Sequence, residues 1–239
     1  IIDGYMRPIA WRGVGTMGVS ARDAPIDVAI AAWPWPSYFA SADHGVRMTV
    51  ATWRRPDPAT APVLSKTASV YAIGTLAKEA AEIDGFDDAL LLDWRGHVAE
   101  ATGANIFFVR EGTLHTPTAD AFLDGITRRT IMRLAKARGW TVIERFIAPE
   151  ELLSFDECFL TGSAAEVTLV RSIDEIAYSL GEVGRTLRDD YARTVRDHAR
   201  RETLGSAACG GPAHPRAEGA ARRPFSLPGR PPADGLASK

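Results

Sequence analysis

Between residues 89 and 116 four short runs follow one another too closely for a helix to intervene. They are residues 89–92, 97–100, 105–109 and 113–116, parted by turns such as Asp93-Trp94-Arg95-Gly96 and Arg110-Glu111-Gly112. Apolar runs of this length between turn residues read as strands, and the last two as a hairpin. A chain with so many short strands in succession does not alternate strand and helix in the manner of a doubly wound parallel sheet. Further strands are expected at 26–32, 46–53, 141–147 and 157–160. Trp33-Pro34-Trp35-Pro36 ends the first of them, because proline has no N–H to donate to a ladder. Three prolines make 54–62 a loop.

Helical spacing appears in three places. Val70, Ile73, Leu76, Ala77 and Ala80 recur along 66–83, and Gly85 stops that helix. Ile131, Leu134 and Ala135 mark the inner face of 127–138, stopped by Gly139. Leu187, Tyr191 and Val195 mark a last amphipathic helix, and Pro149 opens a short one. The body is therefore α+β. From 203 the composition changes. Six glycines and six prolines make up close to a third of the last 37 residues, which hold few large apolar side chains. Such a segment buries too little surface to offset its ordering entropy and is expected to be disordered.

Bulk composition excludes several partners. With 46% hydrophobic and 24% charged residues the chain can build a sizeable core. A net charge of -2 offers no attraction for nucleic acid or an acidic membrane. No apolar run reaches the ~18 residues of a membrane span. Two cysteines, Cys158 and Cys209, make no disulfide framework, and a reducing cytoplasm is the simplest compartment. Cys158 lies in an apolar run and reads as buried. The five histidines (His44, His97, His115, His198 and His214) form no ligand pair, and no Ser-His-Asp spacing occurs, so no metal site is expected.

The remaining candidates have ordinary explanations one by one. A lysine at a helix start is usually solvated. Gly-Ile-Thr is usually a helix cap, and Thr161-Gly162-Ser163 between a strand and a helix is usually a turn. Their order is what is informative. Lys66, Tyr71, Glu100 and Asn105 precede Leu123-Asp124-Gly125-Ile126-Thr127-Arg128, which precedes Thr161-Gly162-Ser163-Ala164-Ala165-Glu166. With Asp87-Asp88-Ala89-Leu90-Leu91-Leu92-Asp93 and Val98-Ala99-Glu100-Ala101-Thr102-Gly103-Ala104-Asn105-Ile106-Phe107, this series resembles the class IV aminotransferases, the fold-type IV pyridoxal-phosphate enzymes.

The resemblance runs from Tyr5 to about Arg196 and implies an α+β fold of the D-amino-acid-aminotransferase type. It implies pyridoxal 5'-phosphate as cofactor. Lys66 would hold it and move the proton at the substrate Cα. Tyr71 would stand at the ring's phenolic oxygen, Glu100 at the ring nitrogen, and Asn105 beside them. The backbone N–H groups of Ile126 and Thr127, with Ser163 and Ala164, would receive the phosphate, as a helix N-terminus suits an anion. Ser163, Ala164 and Ala165 would also take the substrate carboxylate.

The opening segment resembles the branched-chain amino-acid aminotransferases in Tyr5-Met6-Arg7-Pro8, Met17-Gly18-Val19 and the stretch from Ala31 to Tyr38. There Tyr5, Trp35 and Tyr38 would line an apolar pocket, and Arg7 would meet the distal carboxylate of glutamate. The expected reaction is transfer of the amino group of L-leucine, L-isoleucine or L-valine to 2-oxoglutarate. Alternatives on the same scaffold are an aminodeoxychorismate lyase, a D-amino-acid aminotransferase, or a non-catalytic partner subunit. The expected partners are small amino and 2-oxo acids and other copies of the chain, as homodimer or larger, with no nucleic acid and no membrane.

Departures from the family are Thr67, Ser69 and Val70 near the lysine, where small residues are usual, and Leu169 where proline is common. The expected organisation is 1–38 as the end of a small N-terminal domain and substrate-pocket segment, 39–202 as the cofactor-binding domain, and 203–239 as the tail. Most of the small domain would then be missing, including its phosphate-binding arginine. No other full charge is expected beside the phosphate donors, since a helix would direct Arg128 elsewhere. A chain so truncated is expected to be close to inactive by itself.

Overall fold

A computed structural model describes residues 4–206 except 16, 36, 37 and 40, with backbone alone at 43 and 197–206. The chain divides into units 1–198 and 199–239. In the second only 199–206 are described, all helical, so the expected tail lies otherwise outside the described residues.

The chain opens with an antiparallel ribbon, β1 (Tyr5–Arg12) and β2 (Ile26–Trp33), registered Tyr5 to Trp33 and Arg12 to Ile26. Next come β3 (Val46–Arg55), α1 (Ala68–Ile83), β4 (Asp88–Asp93), β5 (Val98–Ala101), β6 (Asn105–Arg110) and β7 (Thr113–Pro117). They are followed by α2 (Ile126–Ala137), β8 (Val142–Arg145), β9 (Glu157–Gly162), β10 (Glu166–Ile173), β11 (Ile176–Ala177) and α3 (Glu182–Ser206). One sheet runs in the order β5-β4-β3-β10-β9-β6-β7-β8, with β11 on β10.

The sheet is mixed. The four runs between 89 and 116 form strands β4 to β7 as expected, but as two separate hairpins, β4–β5 and β6–β7, since β5 ends the sheet and β6 pairs with β9. The pairs β3 with β4 and β7 with β8 are parallel, each joined through a helix, α1 or α2. Two strand–helix–strand units are thus set into an otherwise largely antiparallel sheet, because a parallel pair needs a crossover long enough to hold a helix. Both faces are covered, which explains the unbroken apolar runs of β4 and β6. Leu90, Ile106 and Phe108 face one cluster with Val46, Met48 and Leu160. Ala89 and Leu91 face α1 through Ala77 and Ala81. Phe107 and Val109 face α2 and α3 through Ile131, Ala135, Leu187 and Tyr191. Phe107 stacks on Phe159 with ring centroids 5.2 Å apart, and each such buried side chain contributes about 1.5–3 kcal/mol.

Two expectations need correction, and two strands were not foreseen. α1 starts at Ala68, leaving Lys66 in the segment before it. Thr161-Gly162-Ser163 leads to a strand and not a helix. Residues 163–165 close a hairpin between β9 and β10, and Glu166, the first residue of β10, takes a left-handed φ of 48°. β1 and β10 carried no strong period against their proline and charged residues and are strands through pairing.

α2 is anchored by Arg128, which is 1% exposed. Its guanidinium donates to Asp124 at 2.8 Å, Pro117 O at 2.9 Å, Thr116 at 3.3 Å and to Glu144. The buried carboxylate of Glu157 accepts the N–H groups of Val183 and Gly184, capping the start of α3. No described helix is long and apolar enough to cross a membrane.

Removing the guanidinium leaves buried acceptors unpaired, so Arg128→Met is expected to cost about 3 kcal/mol of unfolding free energy. Urea denaturation measures it, and a loss under about 1 kcal/mol would show that water replaces the guanidinium.

Candidate active site

Lys66 lies just outside α1, before Thr67 at its N-cap. Freed from the helix, its side chain folds back so that Nζ donates to the Tyr71 hydroxyl at 2.6 Å. The lysine is exposed and Tyr71 is 38% exposed, so both reach space beside the sheet. Gly74, one turn past Tyr71, sets the distance. A Cβ there would meet Thr102 O at 2.7 Å, so only glycine lets α1 approach the β5–β6 turn this closely.

Glu100 lies on β5 opposite Leu91 and its side chain is 12% exposed. Burial pushes its pKa up to about 8, against the lowering effects of Arg55 and then Lys66. Arg55 Nε stands 3.4 Å from Glu100 Oε1 but is not aligned to hydrogen-bond it. The same guanidinium donates to Val70 O at 3.2 Å, tying the end of β3 to α1. Loss of hydration therefore outweighs the nearby cation. Arg55 was not singled out from the sequence. It lies 45 residues before Glu100 beside a proline loop, and no local pattern joins the two.

Asn105 holds the other side of Glu100. Its Nδ2 donates to Glu100 Oε2 at 3.2 Å and to Leu123 O at 2.9 Å, and its Oδ1 accepts Gly125 N–H at 3.2 Å. A side chain on Gly125 would collide with that oxygen at 2.3 Å. Both polar atoms of Asn105 are thus engaged within the protein, clamping the acid to the turn before α2. The first helical bond of α2 runs from Arg129 N to Gly125 O, which leaves the N–H groups of Ile126 and Thr127 ahead of the ladder. Ile126 is exposed. Thr127 is buried, with its hydroxyl 3.3 Å from the Tyr191 hydroxyl of α3.

The pocket residues also converge. Tyr5, Trp35, Tyr38, Ser163, Ala164 and Ala165 line one cavity of about 230 Å³. Trp35 packs edge-on to Tyr5 at 4.8 Å and tilted against Tyr38 at 5.8 Å. Tyr38 also lines a second cavity of about 300 Å³ together with Tyr71 and Gly103. Burial and the charge of Asp88 raise the Tyr38 pKa, and Arg7 acts in the opposite sense. Arg7 is exposed, does not line either cavity, and lies 5.5 Å over the Tyr5 ring. Cys158 is buried, and burial raises its thiol pKa well above the usual value.

An amine and a phenol in contact, a buried acid and a cup of free N–H groups make the donor set of a pyridoxal-phosphate site. The Thr161 hydroxyl, buried and without a partner two residues before Ser163, is one more polar group left over for a ligand. The sequence profile described as amino-transferase class IV matches residues 2–173. The chain belongs to this family, with the fold of the fold-type IV enzymes.

The chain is 40% identical over 201 residues to a probable branched-chain-amino-acid aminotransferase of Rickettsia felis, covering 82% of this chain and 69% of that protein. It is 36% identical over 182 residues to the branched-chain-amino-acid aminotransferase of Pseudomonas aeruginosa, covering 75% and 59%. Two solved structures superpose with TM-scores of 0.76 and 0.75, at 36% and 32% identity. They are the branched-chain aminotransferase of Thermoproteus uzoniensis with norvaline and that of Thermobaculum terrenum in its PLP-form. This chain is covered to 80% and spans 64% of the length of each.

The raised pKa of Glu100 has a measurable consequence in the cofactor-free protein. Folded Glu100 keeps its proton to about pH 8, and the unfolded chain loses it near 4.5. Between these values the native state binds more protons, so this contribution to stability is full below 4.5 and lost as pH rises to about 8. Glu100→Gln is therefore expected to melt higher than wild type at about pH 9, with the margin shrinking toward about pH 5. A margin independent of pH would place the titration elsewhere.

Proposed function

We propose that this chain carries the site for pyridoxal-phosphate-dependent transfer of the amino group of L-leucine, L-isoleucine or L-valine to 2-oxoglutarate. The observation that carries the reading is Glu100, a buried carboxyl that holds its proton near neutral pH while clamped between Arg55 and Asn105. Bound pyridoxal phosphate supplies a carbonyl for the amino group and a ring that accepts the electron pair freed at the substrate Cα. Glu100 keeps a proton available at the ring nitrogen, which such a ring needs to accept charge. Lys66 Nζ holds the cofactor and moves the Cα proton. Tyr71, whose hydroxyl already accepts from that amine, orients it and faces the phenolic oxygen. The N–H groups of Ile126 and Thr127, with Ser163 and Ala164, take the phosphate. Ser163, Ala164 and Ala165 orient the substrate carboxylate.

Tyr5, Trp35 and Tyr38 present an aromatic wall suited to a branched aliphatic side chain. Arg7 beside that wall suits the second carboxylate of glutamate. The branched-chain names of the relatives favour this reading over the lyase and D-amino-acid alternatives. The free buried Cys158 agrees with a cytoplasmic protein. Association with further copies of the chain, as homodimer or larger, belongs to the same reading.

Lys66→Ala should abolish transamination and the visible absorbance of bound cofactor. Borohydride reduction followed by peptide mapping should label Lys66 in the wild type. A label on Lys78, the neighbouring lysine of α1, overturns the assignment.

Arg7→Ala should separate the two half-reactions. Leucine has no distal carboxylate and should react almost unchanged. Glutamate loses a charge-assisted pair of about 2–3 kcal/mol and should slow by about 30–150-fold. Single-turnover rates measure both, and equal losses would remove Arg7 from substrate discrimination.

A further inference from the structure

We infer that Asp88, acting through Thr102, is a positioning residue that sets the spacing of Tyr38 and Tyr71 on the substrate side of the site; the inference rests on the reading above, in which both phenols face the ligand. Asp88 opens β4 and is 1% exposed. Its Oδ1 accepts the Thr102 hydroxyl at 2.5 Å and the Ala89 N–H at 2.8 Å. Its Oδ2 is buried and has no hydrogen-bond partner. Burial raises the pKa of this carboxyl, against the opposing bonds from Thr102 and Ala89. A carboxyl buried with one oxygen unpaired lowers the stability of the sheet that carries it. Such a group calls for a reason other than packing, and the reason lies in what Thr102 holds apart.

Thr102 sits between β5 and β6, in the turn that Ala101 N–H closes on Ala104 O at 2.8 Å. The turn is a wedge with three contacts. The Thr102 hydroxyl is fixed to Asp88. The Thr102 carbonyl lies 2.7 Å from where a Cβ on Gly74 would stand, so it bears on α1 one turn after Tyr71. A Cβ on Gly103 would stand 3.4 Å from the Tyr38 hydroxyl, so the turn bears on that ring as well. Tyr38, Tyr71, Gly74, Thr102 and Gly103 share the wall of the cavity of about 300 Å³. Asp88 is not in this wall, and its route to it is Thr102, although its charge is close enough to raise the pKa of Tyr38. Lys66 and Tyr71 are bonded to each other at the start of α1 and move together. Tyr38 belongs to another segment, packed on Trp35 and Phe39. Loosening the wedge therefore displaces Tyr38 from Tyr71 and spares the contacts that hold the cofactor.

Equilibrium binding to the 239-residue chain separates the two effects. The probes are pyridoxal phosphate and, on the loaded protein, 4-methylvalerate, which is leucine without its amino group. In Thr102→Val, 4-methylvalerate should bind about 5–10-fold more weakly and pyridoxal phosphate as before. Asp88→Ala should match it, and the double variant should be no worse than either single one, because one bond is lost in all three. Thr102→Ser and Asp88→Asn, which keep the donor and the acceptor, should bind like the wild type. Nitration of the cofactor-free chain, mapped by peptide, reads the geometry without a ligand. Thr102→Val leaves the Asp88 charge in place and should nitrate Tyr38 several-fold faster, with the buried Tyr178 unchanged and Thr102→Ser like the wild type. Equal weakening of both ligands overturns the inference, as do losses that multiply in the double variant. A wild type that binds no 4-methylvalerate but nitrates Tyr38 in this Thr102-dependent way leaves the wedge standing and removes the proposed substrate. Nitration of Tyr38 independent of Thr102 overturns the wedge whatever a transamination assay shows.

Discussion

Glu100 is a carboxyl taken out of water on the end strand of a sheet, and the site is arranged around that cost. A guanidinium 3.4 Å away does not restore the usual acidity, because the hydration lost on burial exceeds the attraction gained. An acid in this state is a proton reservoir near neutral pH. It is also a fixed point. Arg55 connects it to Val70 in α1, the helix that Lys66 precedes. Asn105 connects it to Leu123 and Gly125, the turn before α2. One buried group thus sets the spacing between the amine and the anion cup.

The rest of the fold serves this spacing. Two strand–helix–strand crossovers place helix starts next to the β4–β5 and β6–β7 hairpins, whose strands β5 and β6 carry Glu100 and Asn105. Gly74 brings α1 onto the β5–β6 turn, where any side chain would hold it away. Arg128 commits a fully buried charge to keeping α2 in place and leaves none for a ligand. The β9–β10 hairpin then delivers residues 163–165 to the cavity wall that Tyr5, Trp35 and Tyr38 complete. α3, capped by Glu157, adds Arg188 and Arg196 to that wall.

Much of this was legible in the sequence. The strands between 89 and 116, the amphipathic stripes of α1 and α2 and the buried Cys158 follow from short apolar runs and a period of 3.6, which local sequence records directly. The order of Lys66, Tyr71, Glu100, Gly125-Ile126-Thr127 and Ser163-Ala164-Ala165 pointed to the cofactor and the family, since each lies in a short motif with turn or cap chemistry of its own. What needed the fold was every relation between residues far apart in the chain. The pairing of Arg55 with Glu100, the clamp of Asn105 on Gly125, the hairpin at Glu166 and the approach of α3 to Thr127 depend on which strands pair and which helices cross. Strand pairing is decided by burial on two faces at once, and the acidity of Glu100 by how much water that burial removes. Neither quantity is a property of any local stretch, so the sequence by itself determined the chemical groups and their local elements, and only the tertiary structure decided which of them meet.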